Sequence, residues 1–144
     1  MKSKYLLTAQ VILFLLLIYF VDLPLIFTNG FLLILLALAA SLGLYSIYNL
    51  GFDNLSPFPE PKKGARHVQE GAYKFIRHPM YTSLIIFGLI FVLSNPGFLN
   101  TIIYLILIYV LDTKASYEEG FLAKIYPTYK TYAENTKKFI PFVY

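Results

Sequence analysis

The sequence predicts an all-α integral membrane protein of about four transmembrane helices, with a cytoplasmic C-terminal helix packed on the bundle. Three observations indicate this class: 58% of the residues are hydrophobic, only 14% are charged, and the apolar residues fall in long runs. Soluble domains average roughly 45–50% apolar and about 25% charged residues. A chain of 144 residues cannot bury so much apolar surface in water, because small folds leave much of their area exposed. We expect residues 1–144 to form one membrane-embedded domain.

Four apolar segments are candidates for spans. Segment 5–27, which Asp22 and Pro24 interrupt near its end, and segment 31–50 are each long enough, since crossing the hydrocarbon core takes about 20 residues. Segments 81–93 and 98–111 are shorter, and a "SNPG" turn separates them. We predict that both of these also span, with the third helix beginning as early as Tyr73. A tilted or re-entrant hairpin is the alternative.

The basic residues predict the orientation. The chain has 12 Lys and Arg, near the N-terminus, in the 51–80 loop and in the C-terminal third, whereas the turns at 28–30 and 94–97 carry none. The positive-inside rule therefore predicts that both termini and the loop are cytoplasmic. The small size of the chain indicates a prokaryotic origin, and with it a cytoplasmic (inner) membrane. Because these charges flank apolar runs instead of forming one soluble face, we predict no nucleic-acid partner.

Two cytoplasmic pieces hold nearly all the polar residues. Segment 51–72 contains "SPFPEPKKG", whose prolines predict an extended backbone without a helix. Segment 112–126 places Tyr117, Phe121 and Ile125 at helical spacing, so we predict a helix that a proline at 127 ends or kinks.

The stretch "KFIRHPMY" (74–81) is the first candidate site. One interpretation is an interfacial anchor, in which Arg77 reaches the headgroups and Pro79 begins a helix. However, His78 adds little to anchoring, and the start of a helix favours an anion over a cation. The stretch therefore predicts a small anionic or zwitterionic ligand.

Glu118 and Glu119 are the second candidate. Adjacent helical residues point about 100° apart, so the two carboxylates cannot face the same way. Either both are solvated, with Lys114 and Glu118 forming an i,i+4 pair, or one turns inward to bind a cation or ribose hydroxyls. The chain has no cysteine, and its two histidines lack the spacing of a helical metal site, so we predict no metal ion.

Together these blocks resemble the isoprenylcysteine carboxyl methyltransferase family and its bacterial relatives, within the wider group of membrane phospholipid methyltransferases. That family has a G-x-Y-x-x-x-R-H-P-x-Y block before a transmembrane hairpin, then an E-E-x-x-L block, spaced tyrosines, a basic residue and a proline. The resemblance covers roughly residues 53–141, while segment 1–50 matches only as two apolar spans. The matching positions are Gly71, Tyr73, Arg77, His78, Pro79, Tyr81, Glu118, Glu119, Leu122, Tyr129, Tyr132, Lys138 and Pro141.

The resemblance implies an integral membrane methyltransferase that uses S-adenosylmethionine without a Rossmann domain and encloses it at the cytoplasmic face. The acceptor would be lipophilic and enter from the bilayer, either a prenylcysteine-like carboxylate or a lipid headgroup. Of the two glutamates we slightly favour Glu119 as the one that faces the cofactor, because it shares a helix face with Leu122 and Tyr126. The implied catalytic residues are Arg77, His78 and Glu119, and the implied cofactor-binding residues are Tyr73, His78, Pro79, Tyr81, Glu118 and Glu119.

The chain departs from the family pattern at a few positions. Ser83 stands where the family often has glycine, and Lys138 stands where arginine is common. Lysine binds a carboxylate only as a point charge, which matters for a prenylcysteine acceptor. Two alternatives to the methyltransferase are an NADPH-dependent membrane reductase of sterol-reductase type and a non-enzymatic small membrane protein.

Overall fold

The computed structural model describes residues 2–62 and 64–144. These residues form helices and no β-strand, apart from one isolated bridge between Ile76 and Lys137. The all-α prediction is confirmed. The α-helices are α1 (Lys2–Tyr19), α2 (Leu23–Thr28), α3 (Gly30–Leu50), α4 (Pro79–Ser94), α5 (Phe98–Ile125) and α6 (Tyr129–Asn135), and a 3₁₀ turn covers Gly71–Lys74.

The helices fit an integral membrane protein. Helices α1, α3 and α5 are long and apolar enough to cross a membrane, and α4 is apolar but shorter, with 16 residues. At 1.5 Å per residue α4 rises about 24 Å, somewhat less than the about 30 Å of a hydrocarbon core. The α5 helix has 28 residues, so it rises about 42 Å and extends past the core.

The first predicted span, 5–27, is wrong as a single helix. Helix α1 ends at Tyr19, and the short α2 begins at Leu23. Asp22 separates them by capping α2, since its Oδ1 accepts the N–H of Leu25 at 3.0 Å. Pro24 lies in the first turn of α2, where its missing N–H costs nothing.

Two further boundaries differ from the prediction. Helix α4 begins at Pro79 and not near Tyr73, because that tyrosine lies in the 3₁₀ turn. The predicted span 98–111 and the predicted cytoplasmic helix 112–126 are one continuous α5, since neither glycine nor proline interrupts residues 98–119. Its end at Ile125, ahead of the proline at 127, is confirmed.

The bundle packs α1 on α5 and α3 on α4. Between α3 and α4, a Cβ added to Gly43 would lie 2.8 Å from Oγ of Ser83. The Ser83 hydroxyl donates to the carbonyl of Ala39 at 2.7 Å. Gly43 on the facing helix thus makes room for Ser83, which stands at the position where the family often has glycine.

The core consists of two clusters of buried residues. One contains Leu17, Val92, Ile103, Leu107 and Leu111, and the other contains Ile26, Leu32, Ala39 and Ile90.

The connections put the polar segments at one end of the bundle. At the opposite end, the Asp22 N–H donates to Ser94 Oγ at 3.1 Å, and the Asn95 amide donates to the Phe20 carbonyl at 2.8 Å. The candidate site therefore lies at the other end of the bundle. Four parts of the chain meet there: the start of α1, the segment between α3 and α4, the end of α5, and the whole of α6.

Candidate active site

The segment between α3 and α4 folds over the end of the bundle. Its residues 55–62 and 64–69 form no helix, as its prolines predict. Asn54 closes it into a loop, because its Oδ1 accepts the Arg66 N–H at 3.0 Å and its amide donates to the Leu50 carbonyl at 3.1 Å. The hydroxyl of Ser3 on α1 donates to Glu60 at 2.6 Å.

Gly71 turns the chain from this segment into the site. Its φ is +59°, in the left-handed region that favours glycine. A Cβ at this position would lie 1.7 Å from Oδ1 of Asn49. A residue with a side chain would have a strained backbone there and would displace the Asn49 side chain, which explains the glycine of the first motif block.

The C-terminal tail runs alongside the residues that precede α4. The Arg77 N–H donates to the Lys137 carbonyl at 2.7 Å, and the His78 N–H donates to the Lys138 carbonyl at 3.1 Å. The Lys137 N–H in turn donates to the Phe75 carbonyl at 3.3 Å. These backbone bonds place the tail beside the Arg-His-Pro block.

Arg77 and His78 share one carboxylate. Arg77 Nε donates to Glu119 Oε1 at 2.7 Å, and His78 Nε2 lies 2.9 Å from the same oxygen. The Arg77 guanidinium also donates to the carbonyls of Ala133 and Thr136, at 3.0 and 2.6 Å. The side chains of Arg77 and His78 are only 13% and 4% exposed. Glu119 therefore ties the start of α4 to α5, and Arg77 extends that connection to α6.

Glu118 has a different set of partners. Its Oε2 accepts the Tyr81 hydroxyl at 2.9 Å and lies 3.8 Å from Nδ1 of His78. The rings of His78 and Tyr81 stack, with centroids 5.3 Å apart and planes 4° from parallel. The imidazole thus lies between the two glutamates and is fixed by both.

A cavity of about 90 Å³ opens beside Glu118. One wall is the segment between α3 and α4, with Pro59 and Pro61. The other walls come from the block before α4, from the end of α5 and from α6. The polar side chains on its walls are Asn54, Ser56, Glu60, Arg66, His67, Tyr73, Arg77, Tyr81, Glu118, Tyr126, Tyr129 and Tyr132.

Three buried polar atoms at this cavity have no hydrogen-bond partner among residues 2–62 and 64–144. They are Nε2 of His67 and the hydroxyl oxygens of Tyr73 and Tyr129. Leaving a buried donor or acceptor unpaired costs about 1–3 kcal/mol, so such groups are normally satisfied. Their convergence on one cavity fits a polar ligand that supplies the missing partners.

Burial also sets the protonation states around the cavity. It raises the pKa of Tyr73 and Tyr129 well above the ordinary value, with the Glu118 carboxylate adding to the first and Glu119 to the second. Burial raises the pKa of Tyr132 to about 12, against an opposing effect of Arg77. Burial lowers the pKa of His67. At neutral pH the tyrosines are therefore hydrogen-bond donors, and His67 is uncharged.

Most of the predicted site residues come together. Tyr73, Arg77, Tyr81 and Glu118 line the cavity, and His78 lines a smaller adjoining one with Glu118. Pro79 is buried and begins α4, but it lines neither cavity.

The geometry does not follow the sequence-based preference for Glu119 as the cavity-facing glutamate. Glu118 lines the cavity, whereas Glu119 lies on the opposite side of Arg77, next to the C-terminal tail. The two donors from Arg77 and His78 hold Glu119 in that position.

Two residues at the cavity, His67 and Tyr129, are not among the predicted site residues. His67 was considered only as a metal ligand, and its stacking on Tyr126, with ring centroids 5.3 Å apart, brings it to the cavity. Tyr129 matches the family's tyrosine pattern but is not among the cofactor-binding residues that the resemblance implies. The position of His67, between a proline-rich segment and the first motif block, could have indicated that it lies near the site.

The fold and the site define a helical membrane protein with a buried polar cavity at one end of its bundle. Residues 25–129 match the family described as phospholipid methyltransferase, so the chain belongs to that family and is a membrane methyltransferase. This confirms the predicted membrane methyltransferase class. Helix α1 precedes the matched residues. No curated protein and no solved structure matches the chain.

Proposed function

We propose that the protein transfers a methyl group from S-adenosylmethionine to a lipophilic acceptor that enters from the bilayer. The observation that carries this proposal is the cavity in which three unpaired buried polar atoms converge beside the Glu118 carboxylate. The family of the chain supplies the reaction class, and the chemistry of the cavity suits a zwitterionic donor.

The residues present fit the polar groups of S-adenosylmethionine. The Glu118 carboxylate suits its ammonium group or ribose hydroxyls. The hydroxyls of Tyr73 and Tyr129 and the imidazole of His67 suit its carboxylate and remaining hydroxyls. The aromatic faces around the cavity suit adenine and a positively charged sulfur. When bound, this cofactor supplies an electrophilic methyl group on a sulfonium centre.

The wall of the cavity has to move for a ligand of this size. A hydrogen bond from Ser3 to Glu60 holds this wall against α1. Ligand pockets are typically about 300–1,000 Å³, whereas the cavity measures about 90 Å³. We therefore expect segment 56–61 to move outward when the cofactor enters, and to exclude water once it closes.

An apolar groove on the other side of His78 suits the acceptor. It lies between α4, α5 and the C-terminal tail, measures about 770 Å³ and is lined mainly by Ile, Leu and Tyr side chains. Thr82 on its wall donates to the Phe139 carbonyl at 2.8 Å, and the Phe139 ring lies 6.0 Å from His78. One acyl or prenyl chain in this groove would bring the head of the acceptor toward His78.

The chemistry required of the protein depends on that head. A carboxylate is already nucleophilic and needs only to be positioned and kept from water. An amine must lose a proton, and the imidazole of His78, paired with Glu119, is an acid–base group next to Phe139 on the groove wall. Asp112 also lines the groove, but its carboxylate is paired with Lys138. We propose that His78 accepts this proton in the amine case, and that the site end of the bundle faces the cytoplasm, as the basic residues predict.

Labelled methyl transfer tests the proposal. The purified protein, in vesicles that contain phosphatidylethanolamine or a farnesylated cysteine, would receive S-adenosylmethionine with a tritiated methyl group. We expect label in the organic extract with one of these acceptors, and none with Glu118→Gln. Binding and transfer of hydride from NADPH, with no methyl transfer to either acceptor, would favour the reductase alternative. No turnover and no binding of either donor by the folded protein would contradict the proposal.

A further inference from the structure

Helix α1 precedes the residues that match the family, yet it contacts the site twice. Its inward residues recur every seven positions, at Ser3, Gln10 and Leu17, which keeps them on one face. Leu17 belongs to the core. Ser3 donates to Glu60 on the cavity wall, and Gln10 accepts from Lys114 on α5 at 2.7 Å.

Lys114 is an unexpected residue at its position. It continues the buried stripe of Leu107 and Leu111 on α5, and it is only 2% exposed. Within the described part of the chain, no carboxylate oxygen lies within 4.0 Å of its Nζ. Burying an ammonium group without such a partner is costly, and an apolar residue of similar volume is often as stable or more stable there. Stability alone does not explain the lysine.

The charge of Lys114 acts on two residues of the site. Its Nζ lies 5.2 Å from the centroid of the Tyr81 ring, within the range of a cation–π interaction. His78 stacks against the same ring, and the ring hydroxyl donates to Glu118. The ammonium holds the ring in place and draws electron density from it, which strengthens the hydroxyl as a donor. Lys114 also precedes Glu118 by four residues, so its charge favours the ionised carboxylate.

We propose that Lys114 and Gln10 are positioning residues for the cofactor site. Gln10 holds the ammonium group, the ammonium group holds Tyr81, and Tyr81 holds the Glu118 carboxylate at the cavity. Helix α1 is thereby part of the binding machinery and not only a membrane anchor. This inference rests on the proposed use of S-adenosylmethionine.

Lys114→Met separates this role from a structural one, because it keeps the volume and removes the charge. We expect the Kd for S-adenosylmethionine to rise about tenfold, the lower end of the loss that follows when a residue orienting a metal ligand is removed. The melting temperature of the ligand-free protein should stay the same or rise, because a buried charge is gone. A purely structural lysine would show the reverse pattern, with a lower melting temperature and unchanged affinity.

Two further variants complete the test. Lys124→Met removes an exposed lysine from the same helix and should match the wild type in both measurements. Gln10→Leu should weaken binding less than Lys114→Met, and the double variant should bind no more weakly than Lys114→Met alone, because Gln10 acts through Lys114.

The outcomes distinguish this inference from the proposed function. Wild-type affinity in Lys114→Met, or additive losses in the double variant, would overturn the inference and leave the proposed function standing. If the wild type itself binds no S-adenosylmethionine, the proposed function fails and the inference falls with it.

Discussion

Arg77 and Glu119 lie 42 positions apart in the sequence, and 2.7 Å separates Nε of the first from Oε1 of the second. This contact joins the two motif blocks across the hairpin of α4 and α5. His78 approaches the same oxygen at 2.9 Å, so one carboxylate fixes both basic residues of the block. Through this contact Glu119 holds Arg77 and His78 in position, whereas Glu118 is the carboxylate that lines the cavity.

Arg77→Lys should destabilise the fold although it keeps the charge. The guanidinium donates to two backbone carbonyls at the end of α6 as well as to Glu119, and an ammonium group cannot reach all three from one position. Because hydrogen bonds of charged groups contribute about 1.5–3 kcal/mol, we expect the free energy of unfolding to fall by about 2 kcal/mol. Denaturant titration in mixed micelles measures it. Arg66→Lys, at an exposed position, is the control, and an equal loss there would contradict the explanation.

The two glutamates should respond differently to the same substitution. Glu119→Gln leaves Arg77 and His78 without their shared anion, so we expect a loss of about 2–3 kcal/mol in unfolding free energy along with weaker ligand binding. Glu118→Gln should leave the unfolding free energy within about 1 kcal/mol of the wild type and raise the Kd for S-adenosylmethionine at least about tenfold. Denaturant titration and calorimetry on both variants measure the two effects. The reverse pattern would mean that Glu119 is the ligand-facing residue.

Tyr129 and Tyr132 allow a direct comparison of an unpaired and a paired hydroxyl group. The Tyr129 hydroxyl has no partner in the described structure, whereas the Tyr132 hydroxyl donates to the Tyr73 carbonyl at 2.6 Å. Tyr129→Phe should leave the ligand-free protein as stable or slightly more stable, and weaken binding of S-adenosylmethionine. Tyr132→Phe should lower the unfolding free energy by about 1 kcal/mol. If Tyr129→Phe destabilises the ligand-free protein as much as Tyr132→Phe does, the hydroxyl has a partner within the protein.

The stability of the protein should depend on pH through His67. Burial lowers its pKa below the ordinary value of 6.5, so the folded state resists a proton that the unfolded chain accepts. Stability is therefore unaffected well above 6.5 and is lost as the pH falls below that value. Between pH 7.5 and 5.5 the melting temperature of the wild type should fall further than that of His67→Gln. Parallel curves for the two proteins would show that His67 does not resist protonation.

Residues 79–126 show what local pattern can and cannot predict. The apolar runs predicted the helical content, and the proline at 127 predicted the end of α5. Both features depend on the local sequence. The division at residue 111 was wrong because it followed the change from apolar to polar residues, and a helix can leave the membrane without ending. Likewise Asp22 and Pro24 were recognised as interruptions, but the capping that starts a new helix at Leu23 depends on a specific hydrogen bond.

The candidate site was predictable where it follows a motif. Arg77, His78, Tyr81 and the glutamate pair were found by their spacing and by their resemblance to a family. The roles of the two glutamates were not predictable, since the face of α5 that meets the cavity depends on how the tail pairs with residues 75–78. His67 and the Lys114–Gln10 contact depend on packing between segments that are distant in the sequence, and no local pattern marks them.

Calorimetric titration of the purified protein with S-adenosylmethionine tests whether the cavity beside Glu118 is the cofactor site, with NADPH as the parallel ligand and Glu118→Gln as the control. We expect saturable binding of S-adenosylmethionine, no binding of NADPH, and a Kd at least about tenfold higher in the variant. Absence of S-adenosylmethionine binding by a folded, monodisperse sample, or equal binding by wild type and variant, would contradict the claim that this cavity is the cofactor site.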